Sequence, residues 1–219
     1  MSREAYLDGW QTLHGGYDPR GNALVRGWLS GAYVVARPFA AAGLSPDLVT
    51  ALGVGVSAMA LVPAWAGGWW LLLAAAVVVL SALLDNVDGA VAVLTGRSTT
   101  WGQVLDSVAD RVGDLVFLGT LFLAGGRDGA GSPVLPCVVG GALMMLQEYL
   151  RARATAAGMT EVGVVTVWER PTRVIVTAAF LGSAAFLGDP WPALGAWAWV
   201  GLGIAGLVQL SLVTRRRLR

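Results

Sequence analysis

The sequence predicts an all-α integral membrane protein, with six transmembrane helices preceded by an amphipathic surface helix and both termini cytoplasmic. Three observations carry this expectation. Of the 219 residues, 56% are hydrophobic and only 13% charged, and the mean hydropathy is +0.65. The apolar residues gather in runs close to the roughly 20 residues that a spanning helix needs. The fifteen basic residues are all arginines. Once the runs are placed, all of them except Arg127 fall on one side, which the positive-inside rule makes the cytoplasmic side.

Three parts are expected: residues 1–45, a juxtamembrane segment; 46–214, a six-helix membrane domain; and 215–219, a basic cytoplasmic tail. In the first part, Trp10, Tyr17, Trp28 and Tyr33 interleave with Arg20, Arg26 and Arg37. That is the pattern of a helix lying on a membrane surface with its aromatics at headgroup level; a partly ordered tail is the alternative. Ser45-Pro46 then opens the first span, with Ser as N-cap and Pro at the first helical position. This span covers about 47–64 and stops near Pro63. The second covers about 69–93 after the Gly67-Gly68 turn. Residues 94–101 form a turn, and the third span covers about 102–124. A glycine-rich loop at 124–133 leads to the fourth, about 134–153, and a polar link to the fifth, about 171–187. After the turn GDPWP comes the sixth, about 193–213. Trp191, Trp197 and Trp199 read as interfacial anchors. Gly201, Gly203 and Gly206 read as a surface for close helix packing, within the chain or across a homodimer.

Several chemistries are excluded. Cys137 is the single cysteine, so an internal disulfide or a cysteine-based zinc site is ruled out. His14 is the single histidine, which argues against Ser-His-Asp and Cys-His catalysis within one chain. The net charge of +1 gives no indication of nucleic-acid binding. The first thirty residues lack a signal-peptide pattern.

The stretch Asp85 to Asp110 stands out within this apolar chain. Asp85 and Asp88 lie three apart and Gly89 follows; then Gly102, Asp106 and Asp110 recur every fourth residue. Spacings of three and four put side chains on one helix face. Two neighbouring helices would therefore bring four carboxylates together. Inside a bilayer an acid costs roughly 2.5–3.5 kcal/mol on insertion scales, so the cluster calls for cations. Carboxylate oxygens are hard ligands that suit Mg²⁺ or Mn²⁺, and two such ions would clamp phosphates for phosphoryl chemistry.

This spacing resembles the signature of the CDP-alcohol phosphotransferases (CDP-alcohol phosphatidyltransferases), D-x2-D-G-x2-A-R, a gap of about eight, then G-x3-D-x3-D. Asp85, Asp88, Gly89, Ala92, Gly102, Asp106 and Asp110 match it, and Val93 stands where the signature has Arg. The resemblance implies a phosphatidyl transfer from CDP-diacylglycerol to a hydroxyl acceptor with release of CMP. It implies that Asp85, Asp88 and Asp106 ligate a dinuclear Mg²⁺ or Mn²⁺ site. Asp110 would lie against the second metal and act as general base. Gly89, Ala92 and Gly102 would line the nucleotide site, where Arg97 is a candidate to do what the missing arginine does. The pattern of Arg151, Arg153, Arg170 and Arg173 around a small loop with Gly158 and Gly163 looks like the acceptor pocket of the bacterial phosphatidylinositol-phosphate synthases of this family. By that match Arg151, Arg153 and Arg173 would hold the phosphate of inositol phosphate, with Arg170 in support. Glycerol phosphate and phosphatidylglycerol are the alternative acceptors. A role in topology or headgroup binding is the alternative for the arginines. Asp114 reads as a local partner for Arg111 or as a further acid behind the site. Two other functional classes are weighed: a cation- or proton-coupled transporter, which the lack of a mirrored second half argues against, and a CDP-lipid-binding relative without turnover.

Overall fold

Each expected helix is present, and each is bounded by the chemistry of its ends. The computed structural model describes residues 1–13, 16–126, 132–159 and 165–218; Arg127 and Gly163 lie outside them. Among the described residues there is no strand. In order, the helices are α1 (Arg3–Leu13), a 3₁₀ turn at Pro19–Gly21, α2 (Ala23–Ala41), α3 (Pro46–Met59), α4 (Leu61–Ala66), α5 (Trp70–Thr95), α6 (Thr100–Ala124), α7 (Val134–Ala156), α8 (Arg170–Leu187) and α9 (Trp191–Arg217). The juxtamembrane segment is thus two helices rather than one. The first span also runs further than Pro63. Pro63 lacks the N–H that would bond the carbonyl of Met59, so the helix breaks at Ala60 and resumes through Ala66.

Caps fix the other boundaries. Ser45 Oγ accepts from the Leu48 N–H at 3.2 Å, as the Ser-Pro pair predicts. At the end of α5, Gly96 has φ +65°. The Arg97 N–H bonds the Ala92 carbonyl at 3.0 Å and the Gly96 N–H bonds the Val93 carbonyl at 3.3 Å. These are the paired bonds of a Schellman stop, which needs a residue that accepts a left-handed backbone. Thr99 Oγ1 then accepts from the Gly102 N–H at 2.9 Å, so α6 starts at Thr100, two residues earlier than the apolar run indicates.

Pro46–Ala66, Trp70–Thr95 and Trp191–Arg217 are long and apolar enough to cross a membrane. The remaining long helices carry their charges inside them: Asp106, Asp110, Arg111 and Asp114 in α6, Glu148 and Arg151 in α7, Arg170 and Arg173 in α8. Those charges lower the mean hydropathy of otherwise apolar segments.

The chain divides into two units. One comprises Met1–Gly55 with Ser81–Asp110, the other Val56–Leu80 with Arg111–Arg219. The first is organised on Tyr6 and Leu7 of α1, Leu29, Tyr33 and Ala36 of α2, Val49 of α3, and Val87, Val91 and Val93 of α5. Fully burying a Leu or Val side chain contributes about 1.5–3 kcal/mol, so two such residues already anchor a helix as short as α1. Burial pushes the Tyr6 phenol up to about 12, which keeps it neutral. Polar contacts tie down the same helix. Arg20 reaches Glu4 at 3.2 Å and Asp8 at 2.6 Å, and the Tyr33 hydroxyl donates to the Met1 carbonyl at 2.9 Å. Arg20 also holds the Asp18 carboxyl below its usual range, chiefly through its backbone N–H.

In the second unit α7 and α8 both pack on α9. Small residues make the approach possible. A Cβ on Gly140 would lie 3.2 Å from Trp199 Cβ, and one on Gly206 only 2.6 Å from Trp168 Cβ. Gly203, whose Cβ would lie 3.2 Å from Leu143 Cβ, and Gly206 thus serve packing within the chain, whereas a Cβ on Gly201 would meet nothing within 4 Å. Trp199 is not an interfacial anchor either. It is fully buried, edge-on to Trp168 at 5.0 Å, and its Nε1 donates to Thr177 at 3.1 Å. Trp197 is exposed.

Replacing Arg20 by Ala should loosen α1 selectively. Hydrogen exchange is expected to accelerate across residues 3–13 and to stay unchanged in α7 and α9. In the parent protein, acidification should have a related, weaker effect. The Asp18 contribution is present above the ordinary carboxylate pKa and is lost as pH falls through its lowered value.

Candidate metal and donor site

Asp85 sits on α5, and Asp106 and Asp110 lie one turn apart on α6. Each offers a carboxylate oxygen to a group whose members lie within 4.8 Å of one another. At separations up to that limit each pair of unit charges repels by about 3.5 kcal/mol or more at an effective dielectric of 20. All three carboxylates are partly buried, so water screens them incompletely. Hard oxygen donors grouped this closely fit a divalent cation of the Mg²⁺ or Mn²⁺ kind.

Asp88 is placed differently. It is 6% exposed, and its carboxylate accepts from the Thr50 hydroxyl of α3 and from the Gly89 N–H. It therefore stands beside the three-carboxylate group, held by a residue the motif does not contain. The only hint of Thr50 in the sequence is its spacing, four residues after Pro46, which keeps it on the same face of the new helix.

A cavity of about 320 Å³ opens over these acids. Asp85, Asp88 and Asp106 line it, as do Gly89, Ala92, Val93, Arg97 and Gly102 from the motif and the α5–α6 turn. A Cβ on Gly89 would meet nothing within 4 Å, so at this position the helix backbone faces open space. A Cβ on Gly102 would meet Thr99 Oγ1 at 3.1 Å and Asp47 Oδ1 at 3.6 Å; the glycine makes room for the helix cap and for Asp47. Arg97 is exposed at the Schellman turn and is the one basic residue of the lining among the described residues. Tyr6 and Trp10 of α1, and Asp47, also line the cavity, and the motif gives no sign of any of them.

The predicted arginine pocket lies in the second unit and is an ion-pair network. Arg173 is fully buried; it pairs with Asp114 at 2.6 Å, donates to the Trp168 carbonyl at 3.0 Å and reaches Glu148 at 3.4 Å. Glu148 also pairs with Arg111 at 2.8 Å and lies 3.6 Å from Arg151, whose Nη2 pairs with Glu169 at 2.9 Å. Arg173, expected at the acceptor phosphate, is buried here, with Asp114 and the Trp168 carbonyl as its nearest partners. Asp114 does contact Arg111, at 3.4 Å, but its nearer partner is Arg173. Arg153 is exposed. The Arg170 guanidinium lies over the Phe117 ring at 6.0 Å and against Gly113. Helical spacing could have paired Glu148 with Arg151 and Arg111 with Asp114. The link from Asp114 to Arg173, 59 residues on, has no local signal.

The match of residues 44–209 to the CDP-alcohol phosphatidyltransferase model agrees with this site. The chain belongs to the CDP-alcohol phosphatidyltransferase family. Within the family it is 34% identical to the phosphatidylinositol phosphate synthase of Mycobacteroides abscessus over 78% of this chain and 76% of that one. It is 36% identical to the archaetidylinositol phosphate synthase of Aeropyrum pernix over 65% and 70%, respectively. The fold is similar to that of Mycobacterium tuberculosis phosphatidylinositol phosphate synthase. In its complex with manganese and citrate the TM-score is 0.71, with 30% identity over 84% of this chain and 88% of that one. With CDP-DAG bound the TM-score is 0.67, with 31% identity over 83% and 90%.

Asp114→Ala should leave the Arg173 guanidinium buried without its nearest carboxylate. Breaking a buried pair from one side costs about 3–5 kcal/mol. A large drop in thermal stability in detergent is expected, whereas Arg153→Ala should leave stability unchanged.

Proposed function

We propose that this protein is an integral membrane enzyme that transfers the phosphatidyl group of CDP-diacylglycerol to a hydroxyl of inositol phosphate, releasing CMP. The carrying observation is the convergence of Asp85, Asp106 and Asp110 beneath a cavity lined by the rest of a phosphatidyltransferase motif. Relatives that bear the name phosphatidylinositol phosphate synthase, and a similar structure with CDP-DAG bound, support both the donor and the acceptor.

Asp85, Asp106 and Asp110 would hold two divalent ions, Mg²⁺ or Mn²⁺, with Asp88 fixed by Thr50 as the fourth carboxylate. When bound, the ions neutralise the pyrophosphate and the departing CMP. Gly89, Ala92 and Gly102 leave room for the nucleotide, and Arg97 reaches its phosphates from the rim. Asp110 takes the proton of the acceptor hydroxyl. That oxygen bonds the β-phosphorus of CDP-diacylglycerol as the bond from phosphorus to the CMP oxygen breaks, and CMP leaves with the electron pair. Arg151 and Arg153 supply the phosphate-binding face for the acceptor, since planar guanidiniums suit phosphate. Arg173 is the buried anchor of the network that Arg151 joins through Glu148. The arginine distribution supports six spans with both termini and the site at the cytoplasmic face.

Purified protein with Mn²⁺, CDP-diacylglycerol and inositol phosphate should release CMP and form the phosphatidylated product. No CMP with inositol phosphate, glycerol phosphate or phosphatidylglycerol would refute the enzyme. Asp110→Asn should lower kcat by at least a hundredfold, the low end for loss of a general base, while CDP-diacylglycerol still binds. Arg97→Ala should weaken CDP-diacylglycerol binding; unchanged affinity removes Arg97 from the site.

A further inference from the structure

One wall of the donor cavity comes from α1, outside the motif. Tyr6 and Trp10 are the aromatic residues of the lining, and they lie one turn apart on the same face of α1. Tyr6 belongs to the core: it is 1% exposed, with its ring 5.5 Å from that of Tyr33. Trp10 is half-buried against that core and still contributes to the cavity surface.

The seat of α1 has no slack. A Cβ on Gly9 would come within 2.9 Å of Val93 Cγ1. Val93 is itself 9% exposed and occupies the position where the motif carries arginine. A side chain at 9 would press on Val93, which also lines the cavity. The residue that departs from the motif is thus the one on which α1 rests at Gly9, next to Trp10. Among the described residues, the other functional groups of the lining are carboxylates, amides, hydroxyls and the guanidinium of Arg97. None of these offers a broad flat apolar face. An indole does, and such a face is what a pyrimidine needs in order to stack.

We propose that Trp10 is a specificity-determining residue of the donor site, its indole stacking on the pyrimidine ring of the CDP-lipid, and that Gly9 docked on Val93 holds it there. The inference rests on the donor-site reading given under the proposed function.

The test compares the full-length protein with Trp10→Ala, Trp10→Leu, Trp10→Phe and Gly9→Val in detergent with Mn²⁺. It measures direct binding of CMP, inhibition by inorganic pyrophosphate, and KM and kcat for CDP-diacylglycerol. Loss of one stacking partner should weaken CMP binding and raise KM about tenfold in Trp10→Ala. Pyrophosphate, which has no base, should inhibit as before. Trp10→Phe should keep most of the affinity. Trp10→Leu, which preserves apolar packing without a π face, should behave like Trp10→Ala and serves if that variant does not fold. Gly9→Val retains the indole but lifts α1, and should show the same selective loss. Unchanged CMP binding in both Trp10→Ala and Trp10→Leu, or an equal loss for CMP and pyrophosphate, overturns the proposal. A parent protein that binds CMP but never releases it from CDP-diacylglycerol overturns the enzymatic reading and leaves the stacking inference to stand on binding. A parent that does not bind CMP overturns both.

Discussion

Three carboxylates forced within 4.8 Å of one another set the terms for the rest of the first unit. Like charges at that range repel, and partial burial denies them full hydration. The fold must therefore hold the helices that carry them by other means. The α5–α6 turn does this locally. Gly96 takes a left-handed backbone, its Schellman bonds end α5, and Thr99 caps α6 three residues later. Thr50 then fixes Asp88 from a different helix. These hydrogen bonds fix the helix ends and Asp88, and so help to set where the acids stand.

The second unit meets the opposite problem in another way. Its fully buried charges come as a pair, Arg173 with Asp114, and the arginines around them find their counter-charges within the protein. Asp114, Glu148 and Glu169 stand among Arg111, Arg151 and Arg173, with Glu148 within 3.6 Å of all three guanidiniums. A network of this kind is costly to break from one side, and it orders the arginine side chains in advance of any anionic ligand.

The acids were legible because helical periodicity is a local property. Offsets of three and four place Asp85 with Asp88, and Asp106 with Asp110, whatever the rest of the chain does. The helix ends were legible for the same reason: Ser45-Pro46, Gly67-Gly68 and the polar turn after Thr95 are local signals. Misreadings arose where composition stood in for packing. Trp199 resembles an interfacial anchor by its spacing from Trp191 and Trp197, yet Thr177 and Trp168 hold it inside. Arg173, too, takes its nearest partner from far away, Asp114 at 2.6 Å. Each decision was made by a partner far away in the chain, which periodicity does not see.

By itself the sequence determined the helical class, the order and near-bounds of the helices, and the motif that marks a phosphatidyltransferase. Hydropathy, caps and i, i+4 spacing act over a few residues and need no knowledge of neighbours. Only the tertiary structure decided that Asp88 belongs with Thr50, that Arg173 is an anchor, and that α1 lies on Val93 with Trp10 at the cavity. Those outcomes depend on which surfaces meet when helices from distant parts of the chain pack together, and the free energy of that meeting is not written in any one segment.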